Sequence, residues 1–147
     1  MTEVAERIHR RIGAFLLENG QPFDLVDDVY VVPQGSTAAN IDIVDFCNPD
    51  FFAQVVIRVT AAVLVDVEPQ PALFEWIATE GQVTPFVRFR YDRDTQVLLA
   101  ETAILGDYLD YEELTVSVGY VTTVADGMDE QLRDQFGGHT ISDVARG

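Results

Sequence analysis

Few side chains in this sequence are suited to acid–base, nucleophilic or metal chemistry: one cysteine, Cys47, and two histidines, His9 and His139. The histidines sit at opposite ends of the chain and Cys47 has no ligand type beside it, so no metal site is spelled out. A catalytic thiol at Cys47 would need a histidine base carried to it by the fold. It reads more simply as a buried thiol beside a strand end. Carboxylates are abundant, and DLVDD (24–28) and DYLDYEE (107–113) set several side by side. With 25 Asp and Glu such neighbours are inevitable, and a hydrolytic pair is defined by its separation inside a cleft. There is no lysine, which removes Schiff-base chemistry and a P-loop lysine. No glycine triad follows a strand pattern. The expectation is a protein that is not an enzyme and uses no metal or cofactor.

Positive charge is scarce and gathered. In TPFVRFRYDRDTQVLLAE (84–101), Arg88, Arg90 and Arg93 fall within six positions of a chain with nine basic residues and a net charge of −16. A pI near 4.1 disfavours phosphate backbones and anionic lipid, so neither nucleic acid nor membrane is expected as a partner. No apolar run is long enough to span a bilayer, and MTEVAERIHRR lacks the apolar stretch of a signal peptide. With a single cysteine no intrachain disulfide can form. The compartment expected is the cytoplasm.

The elements that must position these arginines can be read from period and punctuation. Residues 3–19 carry Val4, Ile8, Ile12, Phe15 and Leu16 at helical spacing, with Thr2 as N-cap. There Glu3→Arg7 and Glu6→Arg10 read as a solvated face. DVYVVP (28–33) and NIDIVDF (40–46) read as strands around a QGSTAA loop, and NPDFF (48–52) as a turn. AQVVIRVTAAVLVDV (53–67) is apolar on both parities, as in a central strand. EPQPALFEWIATEG (68–81) reads as a helix burying Leu73, Phe74 and Ile77, with Pro71 in its first turn. VRFRY and QVLLA flank a DRDT hairpin turn. In 110–138, β-branched TVSVGYVTTV favours strand, but Tyr111, Leu114, Val118, Val121, Ala125, Met128 and Leu132 alternate spacings of three and four. With an Asp110/Glu113 capping box, the period predicts a helix. The chain is expected to be a single α+β domain over 1–138, in the order α-β-β-β-α-β-β-α. Its antiparallel sheet carries helices mainly on one face, and 139–147 is a frayed, flexible tail.

Strand alternation then divides the basic stretch. Val87, Phe89 and Tyr91 face the helices with Val55, Ile57 and Val59. Val56, Arg58 and Thr60 share the open face with Phe86, Arg88 and Arg90, and with Leu99 set opposite Arg88. Such a mixture of guanidinium heads and apolar surface suits a partner or client peptide. It also suits plain neutralisation of nearby carboxylates such as Glu101 and Asp92.

PALFEWIATEG (71–81), ILGDYLDYEEL (104–114) and LRDQFGG (132–138) carry a resemblance. Over roughly 25–138 the chain resembles an actinobacterial family of small proteins grouped with YbjN-like proteins and type III secretion chaperones. The resemblance implies a chaperone-like α+β fold, no catalysis, and binding of peptide segments of a client protein by apolar pockets or by strand addition at a sheet edge. It also implies a homodimer. The family has no defined binding motif, so no residue role carries over. A regulatory domain that senses a small ligand or signalling partner is the alternative.

Overall fold

The computed structural model describes residues 1–46 and 54–147; Cys47 and the turn expected at 48–52 lie outside them. Helix α1 (Glu3–Glu18) starts at Thr2, whose hydroxyl accepts from the Ala5 N–H, and buries Ala5, Ile8, Ile12 and Leu16. Six strands follow, β1 (Asp24–Val26), β2 (Val29–Gln34), β3 (Thr37–Phe46), β4 (Gln54–Leu64), β5 (Arg88–Asp92) and β6 (Val97–Leu105). They form one antiparallel sheet in the order β1-β2-β3-β4-β6-β5. Strand β1 was not anticipated, because three exposed residues carry no alternation to read. The expected QGSTAA loop is mostly strand, turning only at Gly35–Ser36, where Gly35 takes φ +59°.

Between β4 and β5 lies helix α2 (Pro71–Glu80), and after a 3₁₀ turn at 106–108 comes the long helix α3 (Tyr111–Phe136). The period wins over β-branched propensity in α3. Asp110 accepts from the Glu113 N–H at 2.7 Å, and Leu114, Val118, Val121, Ala125 and Leu132 are buried. Thr122 is accommodated by donating its hydroxyl to the Val118 carbonyl at 2.8 Å. One side of the sheet, with Ile41, Val55, Ile57, Val59, Ala61 and Phe89, is buried in the core. The opposite side, with Val44, Val56, Arg58, Ala62 and Leu99, stays half-exposed.

Residues 139–147, expected as a frayed tail, instead form helix α4 (Ile141–Arg146). Thr140 and Asp143 build a reciprocal capping box, Arg133 holds Asp143 at 3.0 Å, and His139 pairs with Val65 through two 2.9 Å backbone bonds. The Thr140 N–H, helped by Arg133, holds the Asp143 carboxyl down to about 2 from an ordinary 3.8. A depressed carboxylate stabilises docking above the ordinary value and loses that contribution as pH falls through the folded one. At pH 7, Asp143→Asn is expected to speed hydrogen exchange at the Val65 and His139 amides. Acidifying the wild type from about pH 4 towards 2 should reproduce the variant.

Candidate functional site

The sheet brings most of the anticipated open-face residues together. Arg58 lies opposite Ala103, Thr60 opposite Glu101, and Val56 opposite Leu105 across β4–β6. Across β5–β6 the register differs from the expected one by two residues: Arg88 faces Glu101, and Leu99 faces Arg90. A two-residue slip keeps every side chain on its face, so the surface survives while the partners change. Phe86 is a second correction. It precedes β5 and packs its ring 5.6 Å from Tyr120 of α3, away from the arginine face.

Each of these arginines has a carboxylate. Arg58 grips Asp42 through two bonds of 2.6 and 3.1 Å, which raises the guanidinium pKa further. Arg88 and Arg90 clasp the two oxygens of Glu101 at 2.7 and 2.6 Å. Glu101 is only 3% exposed. Burial pushes its carboxyl up, but hydrogen bonds from Arg88 and Arg90 bring it below the usual range. Arg93 lies outside this network and stacks over the Phe74 ring at 5.2 Å. Two of the three arginines of the basic stretch are thus spent on a carboxylate inside the sheet. Among the described residues no His/Cys/Asp/Glu group is arranged to hold a metal, and no helix is long and apolar enough to cross a membrane. His9 is engaged with the Asp28 carbonyl and Tyr30.

Beyond the arginines the sheet has a free rim that sequence reasoning did not locate. Strand β5 pairs with β6 only from Val97 to Glu101, while β6 runs on to Leu105. Continuing the register would set Phe86 opposite Ala103 and Thr84 opposite Leu105. That continuation is blocked locally, because the Thr84 hydroxyl takes the N–H groups of Phe86 and Val87 at 3.2 and 3.0 Å, and Pro85 has none. Phe89 donates outward to the Gly81 carbonyl, so Arg88↔Glu101 and Arg90↔Leu99 are the hydrogen-bonded pairs of β5–β6. Alternation then aims the N–H and C=O of Ala103 and the N–H of Leu105 at the open rim, while the Leu105 carbonyl caps the 3₁₀ turn at 106–108. Among the described residues these three groups have no partner there, since the pairing with β5 ends at Glu101.

Beside this rim lies a cleft of about 180 Å³ between β6 and α3, lined by Phe86, Thr102, Ile104, Glu113, Val116 and Tyr120. Phe86, Val116 and Tyr120 are 63%, 54% and 44% exposed. Val116 and Tyr120, four residues apart, make a second apolar stripe on α3 apart from its buried one. The other rims are less open to a strand. β1 is three residues long with Asp24, Asp27 and Asp28 about it. The part of β2 beyond β1 contains Pro33. The outer edge of β5 is partly occupied by Gly81. Short strands, charge and proline are the devices that blunt an edge.

Comparison with known proteins agrees with this architecture. A chain of the HopA1-SchA chaperone-effector complex superposes with a TM-score of 0.63 at 10% identity, covering 88% of this chain and 99% of that one. YbjN from E. coli gives 0.57 at 15% identity, over 87% and 93%. A chain of the ExsC-ExsE complex gives 0.57 at 13% identity, over 88% and 96%. These likenesses are of fold. No curated protein sequence matches the chain. The family model for T3SS (YopN, CesT) and YbjN peptide-binding chaperones matches residues 6–144. An open-rimmed antiparallel sheet backed by helices on one side is therefore the fold of a chain that belongs to the T3SS and YbjN peptide-binding chaperone family.

Proposed function

We propose that this chain is a peptide-binding chaperone that holds an extended segment of a client protein as an added strand on the free rim of β6, and does no bond-making chemistry. The observation that carries this reading is the unpartnered N–H and C=O of Ala103 and N–H of Leu105 beside the exposed Phe86, Val116 and Tyr120. Main-chain bonds give such a complex its affinity and neighbouring pockets its selectivity.

Magnitudes say the rim does not act alone. The three outward groups, the N–H and C=O of Ala103 and the N–H of Leu105, offer about 1 kcal/mol net per bond. One apolar side chain in the cleft adds about 1.5–3 kcal/mol. Association costs an estimated 4–15 kcal/mol, so the contacts only about balance it. A client therefore needs further contact or a second rim. We assign the further contact to the open face of Val56, Arg58, Arg88, Arg90 and Leu99, where Thr60 is itself buried, and the second rim to a homodimer, whose paired sites raise avidity without new chemistry. The cytoplasm, where a lone cysteine stays reduced, is the compartment this reading assigns. A sensor of small ligands would want an enclosed pocket. The cleft at β6 is open along the strand, and the recess by Leu16, Val32 and Leu114 has about 30 Å³, room for one water.

The test is capture from the native cell extract with three baits: wild type, Ala103→Pro and Val116→Glu. Proline removes an outward N–H, and Val116 is exposed enough for glutamate to leave the fold intact. The same client chains should be lost from both variants at unchanged thermal stability. Clients retained by both would overturn the rim assignment.

A further inference from the structure

The charge around the cleft narrows what kind of segment the rim accepts; this rests on the rim reading and refines it. Helix α3 begins shortly after β6 ends, with Asp110 as N-cap and Glu112 and Glu113 in its first turn. Glu113 therefore stands at the Leu105 end of the cleft. Tyr120, two turns on and against Phe86, stands at the other. Asp107 lies in the connecting turn. Glu113 lines the cleft with Asp107, Asp110 and Glu112 close by in the chain, and the helix N-terminus there is worth only about +0.5 charge, so this end of the cleft stays negative. The nearest cation on the rim, Arg88, is already bound to the buried Glu101. Acidic client side chains would meet this local field and the net −16 of the chain.

Spacing adds a pattern. The point midway between Val116 and Tyr120 lies about 7.5 Å along the helix axis from Glu113, close to the ~6.8 Å between alternate residues of an extended strand. An added strand that lowers one side chain between Phe86, Val116 and Tyr120 thus brings its next cleft-facing side chain to Glu113. We infer that the rim of β6 selects extended client segments in which an apolar residue is followed or preceded, two positions away, by lysine or arginine. The apolar residue fills the cleft and the basic one pairs with Glu113. Coulomb attraction of this kind at a partly exposed site is screened by salt, so the basic preference weakens as ionic strength rises while the apolar one persists.

The experiment is selection from a displayed library of nine-residue peptides randomised at every position, panned on wild type, Ala103→Pro, Val116→Glu and Glu113→Lys at low salt. The expected pool requires Ala103 and Val116. It shows Lys or Arg two positions from an apolar residue, and its members lose about tenfold in affinity on Glu113→Lys or at 0.5 M salt. A pool that needs Ala103 and Val116 but is indifferent to Glu113, or enriched in Asp and Glu, overturns the charge inference and leaves the rim reading standing. If no peptide depends on Ala103 or Val116, the rim reading itself fails and the inference goes with it.

Discussion

Serine at both Arg88 and Arg90 is expected to destabilise the fold by about 3–5 kcal/mol at pH 7, because it leaves the Glu101 carboxylate buried without its partners. The two arginines should not contribute equally. Arg88 is 65% exposed, so its single replacement should fall within about 1 kcal/mol. Arg90 is more enclosed and donates its Nε at 2.6 Å. Adding Glu101→Leu to the double variant should recover most of the loss, since an apolar side chain of similar size needs no counter-charge. Urea unfolding of wild type, the two single variants, the double variant and its Glu101→Leu derivative checks this. A double variant as stable as wild type would mean that water reaches Glu101 and the pairs are ornamental. The pH dependence has a defined sign. With its carboxyl held below the ordinary 4.5, Glu101 contributes stability above that value and loses it as pH falls through its lower folded one. Testing whether Arg58, Arg88 and Arg90 also touch a client, by serine at all three, accordingly needs Glu101→Leu in the same chain. Otherwise lost binding and lost folding are the same result.

How much of this was legible depends on the kind of signal. Helix α3 could be read because its buried positions repeat over six turns and Asp110 caps it, outweighing β-branched residues that merely fit a helix less well. The faces of β4 and β5 could be read from alternation, but the register could not. A slip of two residues leaves the alternation untouched, and only the need of a buried Glu101 for two guanidinium groups distinguishes the register found. Helix α4 was missed although Thr140 and Asp143 stand three apart, the spacing of a cap; the glycines before them drew attention to an ending instead. The rim was the hardest to foresee. An unpaired strand edge is a missing neighbour, and no residue type announces one. Its one local cue was Thr84-Pro85, a hydroxyl that captures the next N–H groups beside a residue that has none. Val116 and Tyr120 also had a readable spacing, but off the main stripe of α3 they looked like ordinary surface.

Trp76→Ala is the core substitution expected to reach the site from furthest away. The sequence pattern of α2 points to Leu73, Phe74 and Ile77, yet Trp76 is the nearly buried anchor, with its ring 5.0 Å from Phe89 of β5 and 6.2 Å from Phe136 of α3. Truncation to alanine should cost about 3–5 kcal/mol, a large part of the 5–15 kcal/mol that holds a domain of this kind together. The loss should not spread evenly. Strand β5 is held on one edge by β6 and on the other through the Phe89–Gly81 bond at the end of α2, so loosening α2 loosens β5 first. In native-state hydrogen exchange the amides that join β5 to β6, Arg88, Arg90, Leu99 and Glu101, should lose protection before those joining β4 to β6. The rim would then lengthen from Ala103–Leu105 back towards Val97, with more unpaired main chain to offer. Trp76→Ala should therefore bind the selected peptides at least as well as wild type while unfolding at lower urea. Equal loss of protection across all β6 amides would instead make the sheet a single cooperative unit, with β5 no more detachable than the strands at its centre.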